Sequence, residues 1–416
     1  MKVSKILKTI TVACAAGALV FPLTACGGAD TSGKTTISFL SWNNEQIMQP
    51  FVEQFEKDNP DIKIDFNYSP PTAEYIQTLQ TRLVGNQAPD VFIITSENKD
   101  GLITNGYAKD LTDEPFMKNI SEANKEFVER DGKVYGMSTT SWAAGIVYNK
   151  DLLAKVGADE PPATWDDFLS LCQKLKDAGI TPYLESLTGE ASRIPDSFQG
   201  AIFAKEGVDI TSLATEKKQT PGATEKDAVK AWMQLYERDL VTRDTVGISG
   251  DDVKTQFANG QVAMICTGPW DMSTFLQTEG LNWGYAQAPA YKDGYERYAQ
   301  GSPSPALTIY SKLEGDKLKA AEKFLEFMQS DWALKKQSEN GDAVTVKGFE
   351  SNVAKQYETV YKDNVQTGEY YLTYNFYSHP DVLQSAVLAE SQQLVQDSIN
   401  VDQWADNVDA KLAAAQ

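Results

Sequence analysis

The residues best placed for chemistry are Gly268-Pro269-Trp270-Asp271, which follow a short apolar run, Val262 to Cys266. A run of that length bounded by turn residues suits a buried strand, and open α/β sheets collect ligands beyond the ends of such strands. An indole set there offers a broad apolar face and one N–H donor. That shape fits the C–H face of a sugar ring, although the same Trp270 could also simply pack under its loop. Other chemistries find less support. The single histidine, His379, excludes the two-histidine zinc motif, and no nucleophile elbow accompanies it. Glu45, Glu97, Glu185 and Asp271 are the carboxylates a glycosidase could use, yet no spacing marks two of them as a pair. Asp166 and Asp167 follow Thr164 and read as a helix start, where carboxylates offset exposed N–H groups. No metal site and no cofactor is expected.

Behind such loops a regular frame is expected. Thr36 to Trp42 reads as a strand, Glu45 to Lys57 as an amphipathic helix, and Ile62 to Tyr68 as a second strand. A helix through Tyr75, Ile76, Leu79 and Leu83 leads to a fully apolar strand, Val91 to Ile94. Strand, helix, strand, helix, strand predicts a doubly wound parallel sheet. No G-x-G-x-x-G follows the first strand, so a dinucleotide cradle is missing where this fold would place one. Trp42, Asn43, Asn44 and Glu45 stand there instead, with Ser96 and Glu97 after the third strand. Amides and carboxylates grip the hydroxyls of an uncharged polyol. Glu45 reads equally well as a charge favoured by a helix N-terminus.

The 416 residues favour two domains over one core. A net charge of −20 repels phosphate backbones and makes nucleic acid a poor partner. Lys2, Lys5 and Lys8 precede a mostly apolar stretch, Ile10 to Leu23, too short to span a bilayer. Leu23-Thr24-Ala25-Cys26 then resembles a bacterial lipobox. Residues 1–25 are therefore expected to be a signal peptide, Cys26 the lipidated N-terminus, and residues 26–35 a flexible tether. Cys172 and Cys266 read as small core residues, with a disulfide between them left open.

Several motifs recur in order along the chain: G-K-V-Y-G from Gly132, V-Y-N-K-D-L-L from Val147, T-W-D-D-F from Thr164, F-A-N-G-Q-V-A-M from Phe257, and G-P-W from Gly268. In this series the chain resembles the family 1 extracellular solute-binding proteins, the maltose- and multiple-sugar-binding components of ABC importers. The resemblance implies an α/β fold of two doubly wound lobes joined by a hinge, periplasmic-binding-protein-like and type II, with ligand in the interlobe cleft. The first lobe would comprise residues 36–142 and 281–340, the second residues 143–280 and 341–416.

Ligand contacts are expected from Trp42, Asn43, Asn44, Glu45, Ser96 and Glu97 in the first lobe. Trp142 would face the cleft at the first hinge crossing. Tyr183, Glu185, Trp270 and Asp271 would approach from the second lobe, with Trp270 as the sugar platform. Ser302 and Ser304 lie in a Gly-Ser loop that touches ligand in the family. Tyr374 and Phe376 either extend the platform or seal the lobe.

The function so implied is that of a monomeric oligosaccharide-binding lipoprotein and not an enzyme. It would deliver a small-molecule carbohydrate to the transmembrane subunits of an ABC importer, anchored through Cys26 to the outer face of the bacterial cytoplasmic membrane. The alternatives are a secreted glycoside-acting enzyme, or the same fold holding a polyamine or other cationic solute.

Overall fold

A computed structural model of the chain describes residues 33–69, 72–208 and 220–415. The signal-peptide and Cys26 expectations lie outside the described residues. The frame begins with β1 (Thr35–Ser41), α1 (Glu45–Asp58), β2 (Ile62–Tyr68), α2 (Thr72–Val84) and β3 (Val91–Ile94). β1 lies between β2 and β3 and runs parallel to both. Every residue of β3 is buried, as expected for a strand covered on both faces. α1 turns Met48, Phe51, Val52 and Phe55 inward. The later helix Gly315–Met328 packs Phe324 against Phe39 and Phe55, with ring centroids 5.2 and 5.1 Å apart.

The sheet is completed from distant sequence. Strand Ala306–Ile309 lies antiparallel beside β3, and Met137–Ser138 pairs with its other edge. A second, four-stranded sheet runs in the order Trp283–Ala286, Gly145–Asn149, Val262–Thr267, Thr181–Leu184. Trp165, Phe168, Trp232 and Trp404 are buried in the core beneath it.

Two strands cross between the sheets as a pair. Ser141–Ala143 runs antiparallel to Ala299–Pro303, and Tyr370–Tyr371 adds a third, parallel strand. The Tyr357 hydroxyl clamps this hinge, accepting from the Ala143 N–H at 3.0 Å and donating to its carbonyl at 2.9 Å. A third crossing occurs later in the chain, because Val344 and Val346 pack in the first core while Tyr357 and Val360 pack under the second sheet.

These crossings move two of the three expected lobe boundaries. Trp283–Ala286 pairs with Gly145–Asn149 and so belongs to the second lobe, which places the return at Ala299–Pro303 instead of residue 281. Val344 and Val346 likewise remain with the first lobe, beyond residue 340. An apolar run announces a strand but does not say which sheet edge it will meet.

Candidate functional site

An open cleft of about 700 Å³ lies at the hinge, walled by both lobes. Its first-lobe wall comes from the ends of β1 and β3. Trp42 and Asn43 line it directly after β1, and Ser96 and Glu97 after β3. The Trp42 ring meets Tyr75 edge-on at 6.1 Å. Tyr75 is itself locked to β3, its hydroxyl donating to the Ile93 carbonyl at 2.8 Å and accepting from the Ile93 N–H at 2.6 Å. Such an anchor fixes the wall without placing a polar group in the cleft.

Two neighbours take a different task. Asn44 caps α1, its side-chain oxygen accepting from the Ile47 N–H at 3.2 Å, and Glu45 is exposed in the helix's first turn. Neither lines the cleft. Helix-capping chemistry claims both residues.

From the opposite wall comes Trp270. Pro269–Asp271 forms a single tight turn after strand Val262–Thr267, and Trp270 emerges from it 49% exposed. Its ring meets Trp142 of the hinge edge-on, with centroids 5.4 Å apart and planes at 75°. The Arg193 guanidinium lies 5.4 Å from the centre of the same indole and pairs with Glu190. A cation held against an aromatic face contributes about 0.5–2 kcal/mol and orients the ring. Ser304 completes the hinge side of the cleft.

The remaining expected residues stand elsewhere. Tyr183 is wholly buried, because its strand is covered on both faces. Glu185 is buried and fully engaged: Oε1 accepts from Trp232 Nε1 at 2.8 Å and the Tyr236 hydroxyl at 2.7 Å, and Oε2 from the Ser192 hydroxyl at 2.6 Å. Burial holds its carboxyl above the usual range despite those donors. Asp271 turns away from the cleft, accepting from Thr267 Oγ1 at 2.6 Å and pairing with Lys254 at 3.4 Å.

Ser302 is buried in the hinge, where its hydroxyl donates to the Pro303 carbonyl and accepts from Asn375 Nδ2, both at 2.8 Å. Tyr374 is buried, and Phe376 stacks on Tyr371 at 5.2 Å and 3°. Of the two readings of that aromatic loop, sealing the lobe is the one the packing supports.

Sequence reasoning passed over Glu190, Arg193, Glu339, Asn340 and Asp342, all of which line the cleft. They occupy turns and helix ends where no motif or periodicity singles them out. His379 is exposed in a left-handed turn, far from any such role. Cys172 and Cys266 are both free thiols. No cluster of three or more His, Cys, Asp or Glu suited to a metal occurs among the described residues.

Two α/β lobes on crossing strands, with a cleft open between them, define the class: a hinged, two-lobed binding protein. The model of the bacterial extracellular solute-binding proteins matches residues 41–333, and the chain belongs to that family.

The multiple sugar-binding protein of Streptococcus mutans is 24% identical over 347 residues, covering 78% of this chain and 80% of that one. The maltodextrin-binding protein MdxE of Bacillus subtilis is 27% identical over 340 residues, covering 76% of this chain and 75% of its own length. Among solved structures, a family 1 extracellular solute-binding protein from Bifidobacterium longum subsp. infantis superposes with a TM-score of 0.80 at 30% identity, over 92% of this chain and all of that one. A Listeria monocytogenes ABC substrate-binding protein in complex with cycloalternan gives 0.73 at 21% identity, over 92% and 99% of the two chains.

Proposed function

We propose that the protein binds an oligosaccharide in the interlobe cleft and presents it to an ABC importer by closing its lobes. The observation that carries this reading is the half-exposed Trp270 indole, which meets Trp142 edge-on and shares with Trp42 the lining of a polar-rimmed cleft. Aromatic faces take the apolar side of sugar rings, and Asn43, Ser96 and Glu97 meet their hydroxyls. The names of the sugar-binding relatives support the same ligand class. Closure of two lobes over a ligand gives the importer's transmembrane subunits a surface that the empty form lacks. The Leu23-Thr24-Ala25-Cys26 motif supports lipidation at Cys26 and a place on the outer face of the bacterial cytoplasmic membrane.

Binding without turnover is favoured over hydrolysis. Glu45, Glu185 and Asp271, three of the four carboxylates first considered for an acid/base pair, stand outside the cleft. A second reading, a cationic solute, draws on the excess of Glu97, Glu190, Glu339 and Asp342 over Arg193 along the cleft wall.

Titration with mono- to tetrasaccharides, followed by thermal shift and tryptophan fluorescence, tests the proposal. Saturable binding that is indifferent to salt supports a neutral sugar, and affinity that collapses with salt supports the cation. Trp270→Ala is expected to abolish the response while the fold melts normally. An unchanged response would remove Trp270 from the site.

A further inference from the structure

Behind Trp270 lies a second cavity, of about 340 Å³, lined wholly by second-lobe residues and open to solvent. Glu190, Arg193 and Trp270 line both this chamber and the main cleft, so the indole and the Glu190–Arg193 pair form the partition between them. We propose that the chamber receives one further sugar unit of an oligosaccharide whose other units lie in the main cleft. This rests on the carbohydrate reading above and adds a length requirement to it.

The chamber's chemistry selects the class of occupant. Its charges are paired within the wall: Lys254 with Asp251 at 2.8 Å and Asp271 at 3.4 Å, and Arg193 with Glu190. Glu185, which lines the chamber's floor, is buried and accepts from Trp232, Tyr236 and Ser192. Both cations are held by wall carboxylates, and the carboxylates outnumber them, so the chamber offers acceptors for ligand hydroxyls. Ser186 and Thr188, whose hydroxyls bond each other at 3.0 Å, add further donors and acceptors. The partition itself supplies an aromatic surface. Polar rim, carboxylate acceptors and an indole wall together describe a seat for a polyol, whose hydroxyls can donate to every one of those acceptors. A volume of about 300 Å³ is at the lower end of small-molecule sites, enough for a terminal unit and too small for a whole oligosaccharide.

Two glycines make the assignment testable. Gly189 and Gly250 both line the chamber, neither has a left-handed φ, and a Cβ at either position meets nothing within 4 Å. Side chains introduced there enter free space without backbone strain. Gly250→Trp and Gly189→Leu are therefore expected to narrow the chamber from two separate walls, and neither glycine lines the main cleft.

The full mature chain and both variants would be titrated calorimetrically with three series of increasing length: maltose to maltotetraose, isomaltose to isomaltotetraose, and sucrose, raffinose and stachyose. Thermal melting confirms that each variant is folded. In the native chain, affinity is expected to rise with length in the series that binds. Filling the chamber is expected to weaken the longest binder about tenfold or more while the shortest stays within about twofold. Affinity that does not grow with length, or a length effect that survives both substitutions, overturns the chamber assignment and leaves the cleft reading standing. Failure of the native chain to bind any of the three series overturns both.

Discussion

Gly268 and Trp270 compete for one space: a Cβ on Gly268 would stand 2.1 Å from the indole's Cζ3 and 2.2 Å from its Cη2. The chain can fold the indole back over residue 268 only because that residue has no side chain. The orientation of Trp270 is thus set by three groups, Gly268 beneath it, Arg193 against its face and Trp142 at its edge.

Gly268→Ala is accordingly expected to displace the indole without unfolding the lobe, since the turn is solvent-facing. Affinity for the bound sugar should fall about tenfold, equivalent to about 1.4 kcal/mol. Calorimetry with the saccharide that gives the native response measures it, and an unaltered affinity would show that the ring's placement is immaterial.

Glu185 should prove to be structural. Glu185→Ala leaves Trp232 Nε1 and the Tyr236 and Ser192 hydroxyls without their shared acceptor in the core of the second lobe. Unsatisfied buried donors cost about 1–3 kcal/mol each, partly relieved by water entering the space. Chemical denaturation should show a loss of about 3 kcal/mol, with affinity for the shortest bound sugar, which occupies the main cleft alone, unchanged once the protein is folded. A selective loss of affinity at full stability would return Glu185 to the site.

A pH dependence follows from Thr373, which stands between two buried carboxylates. Its Oγ1 lies 2.5 Å from Asp196 Oδ1 and also contacts Glu225 Oε1. One hydroxyl proton serves one acceptor, so the second carboxyl must bring a proton of its own. Asp196 also receives Gln300 Nε2 at 2.7 Å and has Arg193 nearby, which suits it to be the ionised partner.

Burial first, and then the Asp196 charge, hold the Glu225 carboxyl well above its ordinary range. A folded-state pKa above the unfolded value gives stability that is complete below about pH 4 and is lost as pH climbs through the folded value. Melting temperature of the native chain should therefore fall as pH rises from 4 toward neutral, and Glu225→Gln should flatten that slope. A slope identical in both proteins would mean that Glu225 is ionised in the fold.

The frame was readable from pattern because its signals are local. β1, β2 and β3 declare themselves through apolar runs and alternation, and α1 through the spacing of Met48, Phe51, Val52 and Phe55. Trp42 and Trp270 could be picked out because they directly follow strands, and the chain brings them to one cleft. Tyr183 and Glu185 could not be excluded in advance, since their own residues do not reveal that helices cover both faces of their strand. The same limit misplaced Trp283–Ala286, whose partner strand lies more than a hundred residues earlier. Glu190 and Arg193 reach Trp270 through a loop with no periodicity at all.

The strand Ala306–Ile309 sits between β3 and Met137–Ser138, inside a sheet whose other members were all made much earlier. The amino-terminal lobe therefore waits for the last third of the polypeptide before it can close, and until then the open edge of β3 is exposed to any passing strand. A chain that stops short of residue 306 forfeits both lobes' architecture and not merely its tail. Late completion of this sheet keeps the chain slack until the strand at residues 306–309 is in place.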